Sequence, residues 1–148
     1  MNSQMPQSVA IGALAEATGV KVPTIRYYES VGLLPVPSRN ESNRRLYGEN
    51  IVRRLRFIRH ARELGFEVEA IRQLLELSDQ PDRSCREVDA IAHRHLADIE
   101  SRIVRLRALK TEVSRMIKQC AKGTVADCRV IDALAHHEHC GASPRGGL

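Results

Sequence analysis

Apolar residues in the first thirty positions recur at the three- and four-residue steps of two short helices. The spacing from Ile11 to Ala15 predicts the first helix, and Gly19 follows where a helix C-terminus favours glycine. A second helix is predicted to open around Pro23, because proline is tolerated in a first helical turn, and to run through Glu29. Two short helices around a tight glycine-containing turn predict a helix-turn-helix.

A break in the helical pattern follows, and two longer amphipathic helices come after it. Two prolines and a polar run over residues 38–43 interrupt any helix, and the flanking residues are predicted to pair as a small hairpin. Helical spacing then resumes over residues 49–63 and again over residues 64–77. The positions predicted to face the core are Ile51, Leu55, Ile58, Val68, Ile71, Leu74 and Leu75. Residues 8–78 are therefore predicted to form a winged helix-turn-helix domain.

A single long helix is predicted from about Ser84 to Cys120. Pro81 ends the preceding domain, and Ser84 with Glu87 has the spacing of a capping box. Neither proline nor glycine interrupts the chain from there to Cys120. Apolar residues recur along one narrow stripe of this helix, at Leu96, Ile99, Ile103, Leu106, Val113 and Ile117.

This narrow stripe predicts self-association. A helix of about 35 residues is roughly 52 Å long, which is too long for the small N-terminal domain to cover. Such a stripe is the a/d seam of a coiled coil, and a second copy of the chain is the economical partner. We therefore predict a mainly α fold, in which a dimerisation helix over residues 84–120 forms an antiparallel coiled coil in a homodimer. A loop and tail over residues 120–140 follow it.

Positive charge is concentrated in the N-terminal part of the 148-residue chain. Residues 1–62 carry ten Lys/Arg against four Asp/Glu, whereas the remainder carries thirteen against fourteen, within a total of +5. This asymmetry predicts a polyanion-binding domain joined to a nearly neutral body. Charge alone leaves a solvated basic face open as the alternative.

Side chains suited to double-stranded DNA lie on the second helix and on the hairpin. Basic and hydroxyl side chains contact phosphates, and some of them also contact base edges in the grooves. The predicted DNA-binding residues are Lys21, Thr24, Arg26 and Tyr27 on the second helix, and Arg39, Arg44, Arg45 and Tyr47 on the hairpin. A basic hairpin in this place is a wing, which reaches the phosphate backbone beside the groove.

The sequence predicts a cytoplasmic protein with no membrane segment. No apolar run approaches the roughly 20 residues that span a bilayer, and the N-terminus lacks the features of a signal peptide. Thiols stay reduced in the cytoplasm, so clustered cysteines there indicate metal or redox chemistry more often than disulfides. No nucleophile–base pair or acid dyad stands out, so an enzyme is not predicted.

Three of the four cysteines are predicted to form a metal site that two chains share. Cys85 and Cys120 lie at opposite ends of one helix, so antiparallel pairing places Cys85 of one chain beside Cys120 and Cys128 of the other. The loop over residues 121–127 is predicted to fold over the ion, with Gly123 at a tight bend. Three thiolates suit soft or borderline ions such as Zn²⁺, Cd²⁺, Pb²⁺ and Hg²⁺.

Histidines near the C-terminus offer accessory ligands. These are His136, His137 and His139, together with the fourth cysteine, Cys140. A tail with incidental metal affinity is the alternative. The histidines within the long helix, His93 and His95, are interpreted as packing or surface residues rather than ligands.

The whole pattern resembles the MerR family of bacterial transcriptional regulators. The resemblance is carried by the segments TGVKVPTIRYYESVGLL, RRLY and VRRLRFIRHARELGF. It implies a dimer that distorts a promoter when its effector binds, so that RNA polymerase starts transcription. Cys85, Cys120 and Cys128 match the three cysteines of the family's divalent-metal sensors. Two departures are Ala121, where zinc sensors often have a second cysteine, and Asn43-Arg44, where the wing usually has Gly-Tyr.

The predicted function is a metal-responsive regulator of an efflux or resistance gene, with zinc as the first choice of ion and cadmium, lead and mercury after it. A rival within regulation is a thiol-redox sensor in which Cys120 and Cys128 form a disulfide. A rival of another class is an architectural DNA-binding protein whose zinc is purely structural. The loop has no histidine, so a second ion at the site depends on the tail residues.

Overall fold

The computed structural model describes residues 8–120 and 123–136, and these residues are mainly helical. The helices are α1 (Ile11–Thr18), α2 (Val22–Ser30), α3 (Glu49–Glu63), α4 (Val68–Ser78), α5 (Arg86–Gln119) and α6 (Arg129–Ala135), with a 3₁₀ turn at Val125–Asp127. The strands are β1 (Ser8–Val9), β2 (Ser38–Arg39) and β3 (Arg45–Gly48). Two units divide the chain between His95 and Leu96, and α5 begins in the first and continues into the second. The predicted fold class, a winged helix-turn-helix followed by one long helix, is confirmed.

The core of the first unit lies among α1, α2, α3 and α4. Its most deeply buried side chains include Leu14, Ile25, Leu33, Leu55, Ile58 and Ile71. Of the positions predicted to face the core, those on α3 and the pair Ile71 and Leu75 on α4 are buried, whereas Val68 and Leu74 are half-buried. The 3.6-residue period therefore located the apolar face of each helix correctly.

A three-stranded antiparallel sheet has the order β1-β3-β2. The predicted hairpin is formed by β2 and β3, with Arg39 opposite Arg45. Strand β1 was not predicted, and it pairs with the other edge of β3, with Val9 opposite Tyr47. Two residues are too short to show an alternating pattern, so the sequence carried no signal for β1.

The turn of the wing is closed by two asparagines. Asn43 has φ 61°, in the left-handed region that asparagine tolerates better than most residues. Asn40 accepts the Arg44 backbone N–H on its Oδ1 at 2.9 Å, and its carbonyl accepts the Asn43 N–H at 2.9 Å. Asn43 therefore supplies a left-handed backbone conformation that glycine adopts most readily.

The helix boundaries agree with the predicted starts and stops, with one exception. Gly19 ends α1 at φ 70° and donates its N–H to Ala15 O at 2.8 Å. At the start of α5, Ser84 Oγ accepts the Arg86 N–H at 3.3 Å. The predicted capping box is incomplete, because the Glu87 carboxylate accepts from Arg83 at 2.5 Å instead.

The second unit contains most of α5, the 3₁₀ turn and α6. The apolar stripe of α5 is open to solvent in the single chain, since its side chains at Leu96, Ile103, Leu106, Val113 and Ile117 are 40–64% exposed. Only Ile91 of α5 is buried. Within the described residues, no helix has the length and apolar character needed to cross a membrane.

Candidate functional site

Several arginines of the first unit form hydrogen bonds to the protein's own backbone. Five arginines on α3 and α4 donate to backbone carbonyl oxygens at the ends of helices and in the following loops. The pairs are Arg54 with Leu33, Arg56 with Ala17, Arg59 with Thr18, Arg62 with Phe66 and Arg72 with Val31, at 2.5–3.2 Å. Carbonyls at helix C-termini lack partners within the helix, so Arg56, Arg59 and Arg72 cap the ends of α1 and α2. The prediction from net charge did not distinguish such arginines from DNA-binding ones.

A smaller set of cations remains on the surface of the helix-turn-helix and the wing. Lys21, Arg26 and Arg44 are exposed, and their side chains form no hydrogen bond or ion pair with any residue in the described ranges. Tyr27 is 51% exposed beside Arg26, and Thr24 is half-buried. These side chains are accessible to a polyanion, and their contact with DNA stays a prediction.

Arg39, on the wing, is exposed but differs from these cations because its side chain is hydrogen-bonded. Its Nη1 donates to the side-chain oxygen of Asn43 at 3.2 Å, while the side chain stays exposed. Because Asn43 holds the left-handed position of the turn, Arg39 braces the wing and still presents its charge to solvent.

Two further predicted contacts converge on one carboxylate. Arg45 Nη1 donates to Glu29 Oε2 at 2.6 Å, and Tyr47 Oη donates to Glu29 Oε1 at 2.5 Å. Tyr47 is only 1% exposed, so its ring belongs to the core and its hydroxyl is already bonded. We therefore correct the prediction that Tyr47 contacts DNA: alternation along β3 turns it toward α2 and away from solvent.

The role of Glu29 was not predicted from the sequence. It is one of only four acidic residues among residues 1–62, and this isolation in a basic segment was the signal that could have identified it. A carboxylate retained among so many cations indicates a specific partner.

The buried hydroxyl of Tyr47 has a consequence for stability at high pH. Burial, together with the bond to Glu29, raises the pKa of Tyr47 to about 12 from its ordinary 10.0. The folded protein therefore holds this proton more tightly than the unfolded chain does. The resulting stabilisation is complete below pH 10 and is lost as the pH rises toward 12.

We expect the stability difference between wild type and Tyr47→Phe to shrink by about 2 kcal/mol between pH 9.5 and pH 12. Urea unfolding of both proteins across this range measures it, and the comparison cancels the titration of lysines that both share. A difference that stays constant with pH would contradict the assignment.

Two of the predicted metal ligands lie side by side in the second unit. Cys120 directly follows α5, and Cys128 is the N-cap residue of α6. Their Sγ atoms are 3.7 Å apart. Two sulfurs bound to one tetrahedral zinc at about 2.3 Å are about 3.8 Å apart, whereas a disulfide bond is about 2.05 Å long. The spacing therefore fits two thiolates on one ion.

The two thiols differ in how tightly they hold their protons. Backbone N–H groups of Ile131 and Val130, and then the Cys120 thiol, hydrogen-bond to Cys128 and lower its pKa. The pKa of Cys120 is raised, chiefly because its thiol donates to Cys128. Cys128 therefore loses its proton more readily than Cys120, and a metal ion bound by both sulfurs must displace any proton that either still holds.

Of the other predicted ligands, Cys85 and His136 lie in the described ranges, and neither joins this pair within one chain. Cys85 is exposed and precedes the first residue of α5, with its carbonyl accepting the Asp89 N–H at 2.9 Å. His136 is exposed and its Nδ1 lies 2.9 Å from Asp132 Oδ1. The remaining tail positions, His137, His139 and Cys140, lie outside the described residues. In the described part of a single chain, no three His, Cys, Asp or Glu side chains form a metal-binding group.

The helix histidines behave as the sequence predicted. His95 stacks on Phe66 with ring centroids 4.0 Å apart, and its Nε2 lies 2.8 Å from Leu64 O. His93 is exposed and its Nδ1 lies 2.9 Å from Asp89 O, within the same helix. Packing and local hydrogen bonds account for both residues.

The helix-turn-helix, the wing and the exposed cations define a DNA-binding protein of the winged helix-turn-helix class. Two family profiles match the chain: "MerR HTH family regulatory protein" over residues 9–78, and "MerR, DNA binding" over residues 52–116. The chain belongs to the MerR family of transcriptional regulators, whose members are DNA-binding proteins and not enzymes.

Known proteins resemble the chain over most of its length. A Rhizobium meliloti protein named heavy metal-dependent transcription regulator 2 is 37% identical over 126 residues, which cover 85% of this chain and 86% of that protein. The lead(II) complex of a transcription regulator from Ralstonia metallidurans is 40% identical, with a TM-score of 0.75, and covers 85% of this chain and 98% of that one. A mercury(II) complex of MerR from Bacillus megaterium is 29% identical, with a TM-score of 0.66, over 86% of this chain and all of that one.

Proposed function

We propose that this chain is a metal-responsive transcriptional regulator that binds promoter DNA as a homodimer in the cytoplasm. The effector is a soft divalent ion, held by Cys120 and Cys128 of one chain and Cys85 of the other. The observation that carries the proposal is the 3.7 Å separation of the Cys120 and Cys128 sulfurs. The names of the relatives, which refer to heavy metals, lead and mercury, support it.

The sequence of α5 supports a site shared between chains. Steps of seven residues lead from Cys85 through Ala92, Ile99, Leu106 and Val113 to Cys120. Both cysteines therefore share the stripe that would form the seam of a coiled coil. An antiparallel register that brings Cys85 opposite Cys120 also brings Ile99 opposite Leu106. The two-fold axis then falls between residues 102 and 103, so Ile103 lies next to its own copy. One register satisfies both the thiols and the apolar residues.

Charge along α5 also favours antiparallel pairing. Residues 86–101 carry two Lys/Arg against four Asp/Glu, whereas residues 102–119 carry six against one. In an antiparallel pair, the acidic half of each helix lies beside the basic half of the other. A parallel pair would bring the two basic halves together, at an electrostatic cost.

The metal response is tested by transcription from the regulated promoter with purified RNA polymerase. Zinc, cadmium, lead, mercury and copper(I) are titrated separately, with zinc expected to activate and copper(I) expected not to. Activation follows from distortion of the promoter by the metal-bound dimer, so footprinting should show altered DNA shape together with unchanged occupancy. A result in which none of these ions raises transcription would refute the proposal.

The same assay separates the two rivals. A thiol-redox regulator, in which the neighbouring Cys120 and Cys128 thiols would form a disulfide, would respond to an oxidant in the presence of a chelator. An architectural protein with structural zinc would show DNA affinity and DNA shape that do not depend on metal, while a chelator would unfold the dimer. The proposed regulator responds to metal under reducing conditions and stays folded without it.

DNA binding by α2 is tested with Arg26→Ala. We expect this change to weaken binding and to reduce the slope of log affinity against log salt by about one, because one phosphate contact is lost. Arg94→Ala is the matched control, since Arg94 is also exposed but lies on α5. An equal effect of both changes would show that overall charge, not a contact by Arg26, determines affinity.

A further inference from the structure

The carboxylate of Glu29 links α2, the second helix of the helix-turn-helix, to the wing. Glu29 lies near the end of α2, and its side chain is only 10% exposed. One carboxylate oxygen accepts from Arg45 and the other from Tyr47. Both oxygens are thus used, each in a short hydrogen bond, and bonds to a charged group are stronger than neutral ones.

The two donors reach Glu29 because of their places on β3. Residues two apart on a strand face the same side, so Arg45 and Tyr47 both point toward α2. Strand β3 is the central strand of the sheet and leads directly from the wing turn. A bond from α2 to this strand therefore fixes the direction in which the wing leaves the domain.

Arg45 remains available to DNA while it is bonded to Glu29. Its side chain is 39% exposed, and one Nη carries the bond to the carboxylate. A guanidinium has five N–H donors, so others stay free to bind a phosphate. A side chain already held in one orientation loses less conformational entropy when it binds.

From this geometry we propose that Glu29 is a positioning residue for DNA binding: it orients Arg45 toward a backbone phosphate and holds the wing at a fixed angle to α2. The sign of its effect distinguishes this role from simple electrostatics. A negative charge near DNA repels phosphates, so its removal would tighten binding if charge alone mattered. A positioning role requires the opposite result.

The test measures the affinity of the metal-free protein for a duplex that the wild type selects from a random library. Glu29→Gln is expected to weaken binding about tenfold, the scale of one lost charge-assisted hydrogen bond. Arg45→Ala is expected to weaken it at least as much. The double variant should bind no more weakly than Arg45→Ala alone, because Glu29 acts through Arg45.

Glu69→Gln is the matched control. Glu69 pairs with Arg72 at 3.2 Å in the same unit, but its side chain is 70% exposed and makes no hydrogen bond or ion pair with α2 or the wing. We expect unchanged or slightly tighter binding. Unchanged or tighter binding by Glu29→Gln, or additive losses in the double variant, would overturn the proposal.

A second variant keeps the test decisive if Glu29→Gln is too unstable to assay. Arg45→Lys retains the charge but lacks the planar fork of donors, so affinity should fall while the salt dependence stays as in wild type. Wild-type affinity of Arg45→Lys would refute the proposal. Because every measurement uses metal-free protein, failure here is distinct from failure of the proposed metal site.

Discussion

Cys85→Ser protein is expected to fold, to dimerise and to bind promoter DNA like wild type, yet to give no transcriptional activation with zinc. The change removes one of three proposed thiolates, and the remaining pair holds a tetrahedral ion poorly. Folding should survive, because Cys85 is exposed and precedes α5 without packing in the core. Transcription titrated with zinc, together with the zinc content of the purified dimer, measures the effect.

Cys140→Ser provides the comparison for this variant, since Cys140 is not needed by the proposed site. We expect its zinc response to match wild type. Activation that survives in Cys85→Ser, or that is lost equally in Cys140→Ser, would show that the ligand set is wrong.

Heterodimers test whether two chains share the site. A dimer that pairs a Cys85→Ser chain with a Cys120→Ser, Cys128→Ser chain keeps one complete site if ligands come from both chains. If all ligands come from one chain, the same dimer keeps none. One tightly bound zinc per heterodimer is the expected stoichiometry. A heterodimer that binds no zinc tightly would refute the proposal that two chains share the site.

Ile103→Glu is expected to break the dimer. The proposed register places Ile103 next to its own copy, so the change replaces an apolar contact with two neighbouring carboxylates. We expect the dimer dissociation constant to rise at least about 100-fold, which corresponds to roughly 2.7 kcal/mol. Sedimentation at micromolar concentration should then show monomers, and affinity for the promoter should fall with the loss of the second DNA-binding unit.

Ser101→Glu adds the same charge to α5 at an exposed position two residues away, off the apolar stripe. We expect it to remain dimeric. A dimer that persists in Ile103→Glu would remove the basis for a site between chains, and dissociation of both variants would show that charge alone is responsible.

Helical periodicity allowed the fold to be predicted, because the buried faces repeat over several turns. Ile58 and Ile71 are fully buried for this reason. Tyr47 was assigned to the wrong surface, since a tyrosine within a basic hairpin has the composition of a DNA contact. The direction in which its side chain points depends on the pairing of β3 with β1, and β1 is too short to be recognised in the sequence.

For the metal ligands, too, one part of the site could be predicted from the sequence and another part could not. The spacing of the cysteines along α5 and its following loop was enough to propose them, because a helix has a fixed rise per residue. The 3.7 Å approach of Cys120 and Cys128 was not predictable, since it depends on how the 3₁₀ turn returns the chain to α6. The difference between the two thiols likewise depends on N–H groups at the start of α6.

The arginines that cap backbone carbonyls limit what the basic composition of this domain means for DNA. When a protein binds the double helix, each cation that neutralises a phosphate releases condensed counterions, and this release drives much of the association. Arg54, Arg56 and Arg59 already donate to neutral carbonyl groups, so their guanidinium groups are held against the fold and have fewer N–H groups left for a phosphate. The number of counterions released should therefore depend more on the cations of α2 and the wing, and replacing a capping arginine by lysine would weaken the fold before it weakened the complex with DNA.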